Sequence, residues 1–156
     1  MDKIEANKDR KSALPQAEKD IAKRYLAMSR LMLEKCLKEP RFESKMEYAA
    51  RAVSKCDEKI LRKFTQESEC LKAAFYMGNL CEYMSHLAAE NGLRASSDKL
   101  TFLAGEYYSL ALEGDKLGGD YRKLAVNGLT RAVERFARPN DPDRDPTTPA
   151  AMALAL

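Results

Sequence analysis

Apolar residues recur every three or four positions through most of the chain. Leu14, Ala17, Ile21, Tyr25, Met28, Met32 and Cys36 fall on one helical face, and the spacing predicts a first helix over about residues 14 to 38. Pro15 suits its first turn, where a missing N–H costs nothing, and Pro40 in the stretch KEPRF ends it. A second stripe starts near Glu43 and runs through Met46, Ala50, Val53, Ile60 and Phe64. Its period continues through Leu71, Met77, Cys81, Met84 and Ala88, so a single rod reaching Glu90 is the alternative to two helices. The polar stretch FTQESE favours the break. Thr65 or Ser68 there can cap a new helix by accepting an orphan backbone N–H, which predicts a third helix over about 67 to 91, stopped by Asn91 and Gly92.

Ser96 or Ser97 is the expected cap of a fourth helix carrying Leu100, Leu103, Tyr107, Leu110 and Ala111 up to Gly114. Asp120 is the expected cap of a fifth, with Leu124, Ala125, Leu129, Ala132, Val133 and Phe136 inward. Gly128 lies inside that stripe. Glycine costs about 1 kcal/mol against alanine in a helix interior, so a close crossing with a neighbouring helix is expected there. Between the two helices, LEGDKLGGDYRKL places Gly114 and Gly119 at the GxxxxG spacing of a phosphate-binding loop. That loop needs Lys and then Ser or Thr after the second glycine, and a strand before the first. Asp120 and Tyr121 stand in those places and the preceding stretch is helix-like, so Gly114, Gly118 and Gly119 are expected to supply positive φ values for a turn.

These elements predict an all-α fold, an antiparallel helical bundle or stacked helical hairpins of about five helices, with one helical domain over 13–138. The charged residues 1–12 are expected to be flexible, and the proline-rich stretch 139–156 to be a disordered tail whose removal leaves the fold intact. Its apolar end, AAMALAL, is too short to span a membrane and either docks in a groove or stays unstructured. The fourth and fifth helices resemble a tetratricopeptide hairpin over about 40 residues. The connection GDKLGGD is longer than that repeat's turn and no second copy follows, so the resemblance implies no function.

A chain of 156 residues with a net charge of +3 is expected to form one domain. The charge is uneven: residues 1–72 hold 18 Lys or Arg against 13 Asp or Glu, and residues 73–156 hold 9 against 11. A basic N-terminal half favours an acidic partner. The four cysteines, Cys36, Cys56, Cys70 and Cys81, include no CxxC pair and lie in apolar stripes. Two disulfides are arithmetically open, but with no secretory signal in MDKIEANKDRK the expectation is reduced, buried thiols in a soluble cytoplasmic protein.

Catalytic chemistry finds little support. The single histidine, His86, lacks a nucleophile and a carboxylate at triad spacing, although Cys81 and Ser85 lie near it in sequence. Glu82 precedes it by four residues, where the di-iron motif needs three, and no paired spacing of zinc ligands exists, so neither metal nor cofactor is expected. Arg51, Lys55, Lys59 and Arg62 line one helical face as a basic strip, with Glu47 and Glu58 placed to pair with Arg51 and Arg62. Tyr107 is expected in the core. Tyr108 is expected to be an exposed anchor, and Tyr121 flanks the same turn. Met28, Met32, Met77 and Met84 would let a groove repack if they lined one, but core filling is the weightier reading.

The function expected from these features is a non-enzymatic intracellular protein-interaction module, such as an adaptor, small chaperone or assembly subunit, that binds through an inter-helix groove. Its candidate partner-binding residues are Tyr108, Tyr121, Arg51, Lys55, Lys59 and Arg62. A protein partner or a second copy of the chain is expected, and no membrane. The alternative is a nucleic-acid-associated accessory protein using the basic half.

Overall fold

A computed structural model describes the backbone of residues 2–137 and 146–156 and the side chains of residues 16–137 and 146–156. Every regular element among the described residues is helical: α1 (Asp2–Lys38), α2 (Phe42–Lys55), α3 (Glu58–Leu61) with a 3-10 turn over Arg62–Phe64, α4 (Ser68–Glu90), α5 (Arg94–Ala111), α6 (Gly119–Ala137) and α7 (Thr147–Leu154). No helix among the described residues is long and apolar enough to cross a membrane.

α4 is the centre. Nearly every residue from Cys70 to Ser85 is buried, because α1, α2, α5, α6 and α7 all pack against it. A one-sided stripe marks only part of such a helix. Its other faces carry Ala73, Ala74, Tyr76, Asn79 and Tyr83, small or hydrogen-bonding residues that a crowded interior accepts. At its end, Gly92 takes φ 76° and the Gly92 and Leu93 N–H groups donate to the carbonyls of Ala89 and Ala88 at 3.1 and 2.8 Å. These two bonds satisfy carbonyls the helix would otherwise leave open, and they turn the chain back sharply enough for α5 to start at once.

Several boundaries differ from the pattern. α1 begins at Asp2 rather than near residue 14, so residues 2–12 are helical and Pro15 lies inside the helix. Once a helix is nucleated, each Ala, Lys or Glu adds a backbone hydrogen bond at little cost, without needing an apolar stripe. The second predicted helix stops at Lys55; Asp57 then caps α3 by accepting the Lys59 N–H at 2.8 Å. The break before α4 is present, but Ser68 does not cap it: its hydroxyl lies 3.3 Å from the Glu69 carboxylate, and Glu67 is the cap residue without a side-chain bond. Likewise Ser97 is no cap. α5 has already begun, and the buried Ser97 hydroxyl donates to the Ser85 carbonyl at 2.8 Å, fastening α5 to α4.

In the glycine turn only Gly114 (φ 67°) and Gly119 (φ 58°) take positive φ; Gly118 does not. Leu117 plugs the turn into the core, and the Arg122 guanidinium donates to the carbonyls of Gly114 and Leu117 at 3.1 and 3.4 Å. The turn therefore presents carbonyls to a cation, the reverse of a phosphate cradle.

The expectation of a disordered tail is corrected over its second half. α7 packs on α4, α1 and α6, burying Ala150 and Ala153. Eight residues with three alanines and only Met152 and Leu154 as larger apolar side chains show no stripe in sequence, and only the seat they meet reveals which side is inside. Residues 138–145, with Pro139 and Pro142, lie outside the described residues.

Candidate interaction surfaces

Tyr107 and Tyr108 both point inward, so Tyr108 is not the exposed anchor expected of it. Adjacent helical residues differ by about 100°, and α5 is packed by α4 on one side and α6 on another, which leaves room to bury both. The Tyr107 hydroxyl donates to the Cys56 carbonyl at 2.8 Å. The Tyr108 ring passes between two glycines. A Cβ on Gly78 of α4 would stand 2.8 Å from its Cδ1, and one on Gly128 of α6 would overlap the ring. The expected crossing at Gly128 is thus filled by an aromatic ring rather than by backbone.

The Tyr108 hydroxyl donates to Glu82 Oε1 at 2.7 Å, and Arg131 grips the same carboxylate with Nε on Oε2 at 2.6 Å and Nη2 on Oε1 at 3.0 Å. Burial and the Glu82 charge hold the Tyr108 hydroxyl well above its ordinary pKa, so it stays a donor. One turn along, Arg135 donates to the Ser85 carbonyl at 3.2 Å and the Ser97 hydroxyl at 2.9 Å, and its Nη1 lies 2.6 Å from His86 Nδ1. A guanidinium only donates, so that imidazole nitrogen accepts. Sequence reasoning left Glu82, Arg131 and Arg135 without a role. A signal existed: a carboxylate inside an apolar stretch, and two arginines four apart on the face that carries Gly128 and Ala132.

Tyr121 is half-buried, its ring edge-on to Phe75 and Tyr76 with centroids 5.6 and 6.3 Å away, and Lys72 Nζ sits 4.8 Å from its centroid. It belongs to the packing as much as to the surface. Met77 and Met84 are fully buried, and Met28 and Met32 pack against the core, so these four methionines fill it. All four cysteines are free and buried, and burial pushes the thiols of Cys36 and Cys56 up to about 11 and those of Cys70 and Cys81 up to about 12. At neutral pH they are protonated and poor nucleophiles.

The basic strip is not one continuous helical face. Arg51 and Lys55 lie on α2, Lys59 on α3 and Arg62 in the 3-10 turn, with a bend at Cys56 and Asp57 between them. Arg62 is occupied: it donates to Glu58 at 2.7 Å and Glu113 at 2.8 Å, with Glu106 at 3.6 Å. The Glu58 pairing is as expected, whereas Glu47 and Arg51 form no ion pair. Arg51, Lys55 and Lys59 remain exposed.

Apolar surfaces stay open on the described body. Between α2 and α5 runs a groove of about 330 Å³ lined by Met46, Ala49, Ala50, Val53, Leu100 and Leu103, with Ser96 and Lys99 at its α5 edge. Helical geometry places the exposed Glu43 and Glu47 beside the opposite edge, and Arg51 and Lys55 on the far side of α2. The second surface is a flank of α5 and α6. There the Gly105 Cβ position lies 3.8 Å from the Ala132 Cβ, Phe102 of α5 is 55% exposed, and Val133 (62%) and Phe136 (56%) of α6 are exposed rather than inward as expected. Scans against family models, curated proteins and solved structures each return no match.

Proposed function

We propose that the chain is a non-enzymatic protein-interaction module, its helices closed as an antiparallel bundle around α4, and that it receives an amphipathic helix of a partner in the groove between α2 and α5. The observation that carries this reading is the groove itself: six apolar side chains from two helices form an open trough that no part of the described chain fills. Such a trough suits the i, i+3, i+4 and i+7 anchors of one helical face. Its edges differ in charge, with Lys99 on α5 and Glu43 and Glu47 on α2, which favours a partner helix acidic along one flank and basic along the other and so sets its direction.

Ala50 is exposed and small, so Ala50→Glu places a carboxylate in the trough without disturbing the core. In a library of amphipathic helical peptides, binders selected by the wild-type chain should lose at least about tenfold in affinity for Ala50→Glu, while the thermal midpoint stays within about 1 °C. If no helix binds, and the chain instead retains duplex DNA or RNA with a steep salt dependence that Lys55→Glu with Lys59→Glu abolishes, the nucleic-acid reading replaces this one.

A further inference from the structure

The seat of α7 carries a recognition chemistry of its own. Arg30 of α1 donates through Nη2 to the Leu154 carbonyl at 2.7 Å and through Nη1 to the Tyr76 hydroxyl at 3.2 Å. Tyr76 of α4 in turn donates to the Ala153 carbonyl at 3.2 Å. Two side chains of the body therefore bind carbonyls of a helix's last turn, that of Ala153 while it also accepts the Leu156 N–H at 3.2 Å, and a cation meets the negative end of the helix dipole there. Ala150 and Ala153, three residues apart and both buried, let the helix backbone come close. A larger side chain at either position would lift the helix off these donors.

The resident helix is an unusual core element. Ala150 and Ala153 are buried and Ala151 is exposed, while the larger Met152 (49% exposed) and Leu156 face outward. They border a second groove of about 320 Å³ with Lys123, Leu124 and Asn127 of α6. A helix of eight residues is too short to persist alone in water, so α7 is helical because it is seated. Ala150 and Ala153, with the half-buried Leu154 packed against the core, hold it there.

We propose that this seat, formed by α1, α4 and α6, is a second protein-binding site whose ligand is the C-terminal turn of a partner helix with alanines three residues apart, and that α7 occupies it in cis as a displaceable competitor. The resident shows what fits: small residues inward and end carbonyls with a lone pair left for Arg30 and Tyr76. A cis occupant lowers apparent affinity for a partner by the fraction of time the seat is empty, so loosening α7 strengthens binding in trans.

The test uses the full chain and a fluorescent synthetic peptide of residues 146–156. Ala153→Glu weakens the resident helix and leaves the seat's own residues intact. The peptide should bind this variant at least about tenfold more tightly than wild type, and adding Arg30→Ala should remove most of the gain. Hydrogen exchange supplies the control: in wild type the amides of 151–154 should exchange at least about a hundredfold faster than those of 75–81 in α4, and Ala153→Glu should leave α4 unchanged. The proposal is overturned if α7 and α4 exchange together, if Ala153→Glu unfolds the body, or if the peptide binds neither protein. A wild-type dimer that the peptide dissociates would assign the seat to a second copy and overturn a separate partner.

Discussion

Tyr108 and Tyr76 are both fully buried, both donate a hydroxyl hydrogen bond between helices, and hold their surroundings very differently. Tyr108 lies between Gly78 and Gly128 and donates to a carboxylate that Arg131 also binds, so three helices meet on one ring and one charge. Tyr76 donates to the carbonyl of a short helix whose buried side chains are two alanines. A charged acceptor and a close-fitting enclosure leave Tyr108 no alternative in water. The Tyr76 bond can be exchanged for one to solvent once α7 leaves. A tyrosine's contribution thus depends on what its acceptor and its walls would lose by separating.

The strongest challenge to this contrast is Glu82→Ala, which leaves the Tyr108 hydroxyl buried without its acceptor and Arg131 without its carboxylate. It should cost about 3 kcal/mol, the scale for breaking one side of a buried pair. In thermal unfolding that corresponds to a fall of roughly 6–12 °C for a chain of this size. A loss under about 1 kcal/mol would show that the central network is no firmer than the periphery.

Gly128→Ala comes next. The added methyl overlaps the Tyr108 ring, and Gly78 blocks the ring's retreat, so a net loss of about 2 kcal/mol is expected despite the ~1 kcal/mol of helix propensity regained. Gly105→Ala is the control: its methyl would meet Ala132 at an ordinary 3.8 Å, so it should be neutral or stabilising by up to about 1 kcal/mol. Urea titration of the two variants separates a ring enclosed by glycines from a helix that merely contains one.

Tyr76→Phe should have the smallest effect, at most about 1 kcal/mol globally, because the two bonds lost, the one donated to the Ala153 carbonyl and the one accepted from Arg30, both serve the seat of α7, where Arg30 keeps its bond to the Leu154 carbonyl. Its mark should be local. Amides of 151–154 should exchange faster, while those of α4 keep their wild-type rates; a uniform rise across both would make α7 part of the same cooperative unit as α4.

The contrast also separates what sequence could and could not reveal. The glycine stretch after α5 was legible as a turn because the phosphate-binding motif failed on Asp120 and Tyr121, residues whose chemistry does not depend on context. The break before α4 was legible from polarity. The caps at Ser68 and Ser97 were misplaced because a serine's local bonding options do not say which neighbour will claim its hydroxyl, and Ser85 of α4 claims that of Ser97. Exposure of Tyr108 was misjudged because the period of one helix counts a single buried face, whereas α5 has two.

The sequence by itself determined the all-helical class, the placing of α4, α5 and α6 to within a few residues, and the burial of the four thiols, since spacing, turn glycines and the apolar stripes around the cysteines act over one or two helical turns. Only the tertiary structure decided that Tyr108 lies between two glycines from different helices, that Glu82 and Arg131 share a buried charge, and that an alanine-rich segment has a seat between α1, α4 and α6. These depend on partners 20 to 124 residues apart, and no local period encodes which distant partner a given side chain will find once the core has closed.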